Sequence, residues 1–141
     1  MVQGKMPTVE EVQAMIGKTK EEVLVIDKSL VLNYCQAVGD KNPLWNDTAP
    51  PGFLATVTMS GSVIALRIPM PYKKGVAAGA DWDFYKPIKI GDVITTAHEF
   101  ADMQDKSTDK GKRFLIIFKS KHTNQKGEVV AVSTNSVFTM E

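Results

Sequence analysis

The chain has 141 residues, 43% hydrophobic and 23% charged, with 17 basic against 16 acidic side chains and a net charge of +1. That near-balance leaves no field suited to nucleic acid or an anionic membrane surface, and the single cysteine excludes an internal disulfide and points to a reducing compartment. With no signal-peptide core and no run of about 20 apolar residues, the expectation is one cytoplasmic domain over 1–141, with 1–20 as a helical lead-in.

The lead-in carries a helix signal. Thr8 is placed to cap it, Glu11 completes a capping box, and Val9, Val12, Met15 and Ile16 share a face that Gly17 ends. Residues 22–27, EVLVID, read as a short strand. In the next segment, KSLVLNYCQAVGD, Leu30, Val31, Tyr34, Cys35 and Val38 fall at helical spacing before Gly39.

A turn rich in Asn, Asp and Pro leads to residues 50–69, where Phe53, Val57, Gly61, Ile64 and Ile68 fall on one helical face. The opposite face is small and uncharged as well, as expected of a helix wrapped on all sides. Pro50 and Pro51 suit its first turn. From residue 75 the period changes to two, giving strand candidates GADWDFYKPI, DVITTAHEFADM, KRFLIIFKSKH and GEVVAVSTNSVFTM. The last three should form an antiparallel meander. The fold class is therefore α+β, a central helix wrapped by a curved antiparallel sheet of about five strands. Such a sheet has edges, and edge-to-edge dimerisation is the expected way to cover them.

These elements and the words written on them resemble the hotdog fold, and within it the MaoC-like acyl dehydratases and (R)-specific enoyl thioester hydratases, over roughly residues 20–140. The stretch YCQAVGDKNPL, 34–44, follows the hydratase signature. APPGFL at 49–54, DFYKPIKIGD at 83–92 and TNQKGEVV at 123–130 look most like the N-terminal half of two-part dehydratases. The signature continues to a histidine, and this sequence has Trp45 there.

The resemblance implies addition of water across a 2-enoyl thioester, or its reverse, with an Asp and a His flanking the water. Asp40 takes the first position, supported by Asn42. The indole of Trp45 only donates a hydrogen bond and does not titrate near neutrality. Backbone amides at the start of the central helix would stabilise the developing enolate. Pro51, Gly52, Phe53, Leu54 and Trp45 are the expected substrate-binding residues, Gly52 by letting an acyl group approach the backbone.

His98 shares a face with Ile94 and Phe100 and reads as a structural, packed or partly exposed histidine. His122, before the TNQKG turn, is expected to be solvent-exposed. Neither has a metal-ligand partner, so no metal is expected, and no cofactor beyond a coenzyme A or acyl carrier protein thioester as substrate. Lys73, Lys74, Lys86 and Lys89 are open to two readings, a solvated surface or contacts to the phosphates of coenzyme A. Three functions follow from the resemblance. The chain is a subunit that shapes the acyl pocket for a second, His-bearing hotdog subunit, or a self-sufficient homodimeric hydratase using Asp40, or a non-catalytic acyl-CoA binding module.

Overall fold

A computed structural model describes residues 4–58 and 65–141. Helix α1 spans Val9–Gln13, and the Thr8 side chain accepts from the Glu11 amide at 3.1 Å as the capping pattern predicts. Strand β1, Thr19–Val25, starts and ends earlier than the 22–27 expected from its apolar run. Ile26 leaves the ladder because its amide turns to the Asp92 carbonyl, 2.9 Å away. Asp27 then caps α2, Lys28–Val38, by accepting from the Ser29 amide at 2.7 Å.

After a 3₁₀ turn at Pro43–Asn46 come a two-residue strand β2, Thr48–Ala49, and helix α3, Pro51–Thr58. The helix expected over 50–69 does not run that far: Arg67 has φ of 50°, outside helical space. Pro69 also disfavours helical backbone at the residue before it. Gly61 and Ile64 of its expected face lie outside the described residues. Thr56 and Thr58 donate their hydroxyls to the carbonyls of Gly52 and Leu54, at 2.8 and 2.7 Å. Such back-bonding satisfies the hydroxyls within the helix, but Pro51, Thr56 and Val57 are exposed, so α3 is not wrapped on all sides as its uncharged faces suggested.

The remaining strands are β3 (Lys74–Phe84), β4 (Ile88–Lys89), β5 (Val93–Asp105), β6 (Arg113–Thr123) and β7 (Val129–Met140). Five of the strands form one antiparallel sheet in the order β1-β5-β6-β7-β3, so the expected β5–β6–β7 meander is its centre. Short β2 and β4 pair separately. Burial alternates along β5 and β6, with Ile94, Thr96, His98 and Phe100, then Phe114, Ile116, Phe118, Ser120 and His122, facing inward. A bulge between Phe100 and Asp102 resets that phase and turns Met103 inward.

The core lies in two parts. One joins Val31 and Cys35 of α2 and Phe53 and Leu54 of α3 to Ile94, Val130 and Ala131. The other joins Val12 of α1 and Leu66 to Phe100, Phe114, Ile116 and Phe118. β1 and β3 are the sheet's edges. β1 carries Lys20, Glu21 and Glu22, the charges that discourage strand pairing, whereas β3 presents Gly75 to Ala80 as uncharged small residues and Val76, with Val76 and Phe84 both exposed. Among the described residues no helix is long and apolar enough to cross a membrane.

Candidate functional site

The site is built at the end of α2. Gly39 adopts φ of 71°, a left-handed cap that glycine takes without strain. The Asp40 amide donates back to the Cys35 carbonyl at 2.9 Å, closing the helix and fixing the residue that follows. One carboxylate oxygen, Oδ1, accepts from the Asn42 amide at 3.0 Å. The Asn42 side chain repeats the device by accepting from the Leu44 amide at 3.1 Å, capping the 3₁₀ turn that Pro43 begins. That turn carries Trp45 back over the start of the loop, and its indole Nε1–H donates to Asp40 Oδ2 at 2.8 Å.

Both oxygens of Asp40 are thus engaged by N–H donors of this loop. The pair expected for hydration needs a water held between a carboxylate and a group able to return a proton. The indole supplies geometry without proton transfer, since it has no acceptor and does not titrate. The two histidines are occupied elsewhere. His98 places Nδ1 2.9 Å from Ser120 Oγ and Nε2 3.2 Å from Glu22 Oε2. His122 places Nδ1 2.9 Å from Thr96 Oγ1 and Nε2 3.2 Å from Ser133 Oγ, and stacks on Trp82 with ring centroids 4.9 Å apart.

His98 is packed, as its strand neighbours suggested. His122 corrects the expectation of exposure: it is fully buried, because its parity in β6 sets it on the inner face with Ser120 and Phe118. Burial, and secondarily the neighbouring His98, push its pKa down to about 4 from the ordinary 6.5. It is a neutral imidazole at physiological pH. Among the described residues no group of three or more His, Cys, Asp or Glu is placed to hold a metal ion.

Beside the turn is a cleft of about 360 Å³, lined by Trp45, Thr48, Ala49 and Pro51 on one side and Phe84, Tyr85, Lys86, Pro87 and Ile88 on the other. Two of the expected substrate-binding residues, Trp45 and Pro51, therefore meet there. Phe53 and Leu54 are buried in the core and do not line the cleft, because α3 turns them against Ile94 and Val130. Gly52 leaves room for Tyr34. A Cβ there would collide with Tyr34 Oη and stand 3.4 Å from Tyr34 Cζ, the ring packing edge-on against Phe53 at 6.0 Å. The Phe53 amide at the helix start is taken by the Pro50 carbonyl at 3.0 Å.

Asp40 faces a separate groove of about 300 Å³ with Leu32, Cys35, Gln36, Gly39 and Lys41, which shares no lining residue with the cleft. Trp45 lines the cleft and is bonded to Asp40, which lines the groove. Of the lysines considered for phosphate contacts, Lys86 reaches the cleft and is ion-paired with Glu128, while Lys74 opens β3 about 35 Å of extended strand away.

Sequence reasoning missed the second wall of the cleft, residues 84–88, although they lie in the DFYKPI word that carried the resemblance. It also missed how the late motifs meet. Asp92 accepts from the Lys89 amide at 2.8 Å and from Gln125 Nε2 at 2.9 Å, and Gln125 Oε1 accepts from the Val93 amide at 3.0 Å. The KIGD and TNQKG words are thus stitched together and brace β4 under the cleft.

A helix packed on a five-stranded antiparallel sheet in this order is the hotdog architecture, here with a hydratase-type turn beside an apolar cleft. Residues 14–133 match the FAS1-like, dehydratase domain region family, and the chain belongs to that family. No curated protein shows significant sequence similarity to it. Among solved structures, the monoamine oxidase regulatory protein from Archaeoglobus fulgius is similar over 100% of this chain and 99% of its own, with a TM-score of 0.76 at 18% identity. The MaoC-like dehydratase from Rhodospirillum rubrum is similar over 89% of this chain and 92% of its own, with a TM-score of 0.63 at 16% identity. A C-terminally truncated HadBC (3R-hydroxyacyl-ACP dehydratase) complex from Mycobacterium tuberculosis matches 87% of this chain and 96% of its own, with a TM-score of 0.67 at 15% identity.

Proposed function

We propose that this chain is a subunit of an acyl-thioester hydratase or dehydratase that shapes the acyl pocket, the proton-transferring Asp–His pair being carried by a second hotdog subunit. The observation that carries the reading is the 2.8 Å hydrogen bond from Trp45 Nε1 to Asp40 Oδ2, with Asp40 Oδ1 already taken by the Asn42 amide. Water addition at the β-carbon of an enoyl thioester needs a base to take one proton and an acid to deliver another. An aspartate paired with an indole supplies at most one of these two groups, since the indole neither accepts nor delivers a proton. What the chain offers instead is an apolar cleft and a sheet edge, β3, whose residues 75–80 carry no charge and are open to pairing with another strand. The likeness to a dehydratase complex is in keeping with such a companion.

The test is hydration of crotonyl-CoA by the purified chain, alone and after mixing with a hotdog protein bearing Asp-x-Asn-Pro-aliphatic-His. Turnover should appear only on mixing. Turnover by the chain alone at a rate typical of its family would overturn the proposal.

A further inference from the structure

We infer that two copies of this chain dock through the outer face of the sheet, with β7 lying along the twofold axis. The register fixes what that face carries. Residues directly opposite one another on neighbouring strands point to the same side, so rows can be followed across β6, β7 and β3. Two rows are Lys119–Thr134–Asp81 and Lys121–Val132–Asp83, and two more are Ile117–Ser136–Gly79 and Leu115–Phe138–Val76. These rows point away from the core, since the alternate residues Phe118, Ser120, Ser133 and Asn135 are the buried ones.

The face is divided by charge. β6 carries a basic pair, β3 an acidic pair, and β7 sets Thr134 and Val132 between them. With strands about 4.8 Å apart, the two pairs stand about 10 Å from each other across β7. All four charged residues are exposed, and none is ion-paired among the described residues. Lys119 and Lys121 also wall a groove of about 570 Å³ on this face, together with Ala97, Glu99, Val132 and Thr134.

A half-turn about an axis along β7 keeps each row at its height and exchanges the β6 side with the β3 side. It sets Lys119 and Lys121 of one copy over Asp81 and Asp83 of the other, and by symmetry does so twice. The same operation lays Leu115 over Val76, which is 54% exposed, and Phe138 over its own counterpart. Charge thus meets opposite charge and apolar meets apolar, as an isologous contact requires. At the end of the ladder Arg113 meets Lys74, a like-charge contact that weakens the interface. Three strands of 11 or 12 residues offer about 500 Å² per copy, or about 1,000 Å² in all, the lower limit for a specific interface. The association is therefore weak and concentration-dependent. It uses side chains only, so the backbone edge of β3 stays free for a companion strand.

Sedimentation of the purified chain over a wide range of concentration tests this with two charge variants. One carries Lys119→Glu with Lys121→Glu, the other Asp81→Lys with Asp83→Lys. Each meets like charges in its own copies, so its self-association should weaken about tenfold or more. In an equimolar mixture every charged row again faces its opposite sign, and association should return and fade as salt rises. A thiol on the axis separates this contact from pairing through the β3 edge. In the Thr134→Cys variant a short bis-maleimide should join two copies, whereas edge pairing would hold residue 134 of the two copies about 14 Å apart, three strand spacings. The wild type, with only the buried Cys35, is the control. A wild type that never self-associates, variants that associate as tightly as the wild type, a mixture no tighter than either variant, or no cross-link at residue 134 overturns the inference. No thioester or companion subunit is present, so such a failure leaves the mixing experiment above to test the subunit reading by itself.

Discussion

His122 makes the stability of this fold depend on pH in a window that can be stated in advance. The folded chain protonates it at about 4 and the unfolded chain at about the ordinary 6.5, because burial disfavours the imidazolium. The folded-state value is depressed, so the unfolded chain binds the extra proton between these limits. The contribution is fully present above pH 6.5, is lost progressively as pH falls, and is gone near pH 4. At about 1.4 kcal/mol per unit, the gap corresponds to about 3 kcal/mol, a sizeable part of the roughly 5–15 kcal/mol that stabilises a typical domain. Urea denaturation between pH 4.5 and 8 measures it, with His122→Gln as the control that cannot titrate. The variant should be less stable at pH 8, having lost the Trp82 stack. Its stability should nevertheless fall less steeply with acid than the wild type's, by up to about 1.4 kcal/mol per pH unit. Parallel slopes for the two proteins between pH 4.5 and 6.5 would refute the assignment of a buried, neutral imidazole.

Three further expectations follow from packing and hydrogen bonding. Gly52→Ala drives a methyl group into Tyr34 Oη and should cost about 1–3 kcal/mol in thermal or urea unfolding, with much of the loss recovered in the double variant carrying Tyr34→Phe, which removes the colliding oxygen and keeps the ring against Phe53. Asp92→Ala removes the acceptor shared by the Lys89 amide and Gln125, and should destabilise by about 2–4 kcal/mol in the same assay. Asp40→Asn leaves one acceptor oxygen for two N–H donors, setting its NH2 against either the indole or the Asn42 amide, and should cost about 1–2 kcal/mol of stability. It should leave the turnover of the mixed subunits within about threefold of wild type (about 0.65 kcal/mol in barrier), measured with crotonyl-CoA.

Regular elements with a strong period were legible. Alternation of Phe114, Ile116 and Phe118 placed β6, and the same parity extends to Ser120 and His122. His122 was misread because its place before the TNQKG turn outweighed that parity. β3 was recognised only from residue 79, since Gly75, Ala77 and Ala78 carry little strand preference and are held by pairing with β7. The site was half legible. The resemblance singled out Asp40 and the Trp45 that stands at the histidine position, but the Trp45–Asp40 bond depends on the 3₁₀ turn bringing two side chains together. The cleft is joined across about 40 residues by a two-residue β2–β4 ladder, too short to leave a periodic signal. The Lys86–Glu128 pair is likewise a contact between distant turns.

The most direct measurement of the central claim is proton exchange in deuterated buffer. Butyryl- or 3-hydroxybutyryl-CoA is incubated with the purified chain, and deuterium at the α-carbon is followed by NMR. With Asp40 held by an indole that passes no proton, incorporation should match the protein-free control. Incorporation well above that control, and abolished by Asp40→Asn, would show that this polypeptide moves protons by itself and would contradict the account.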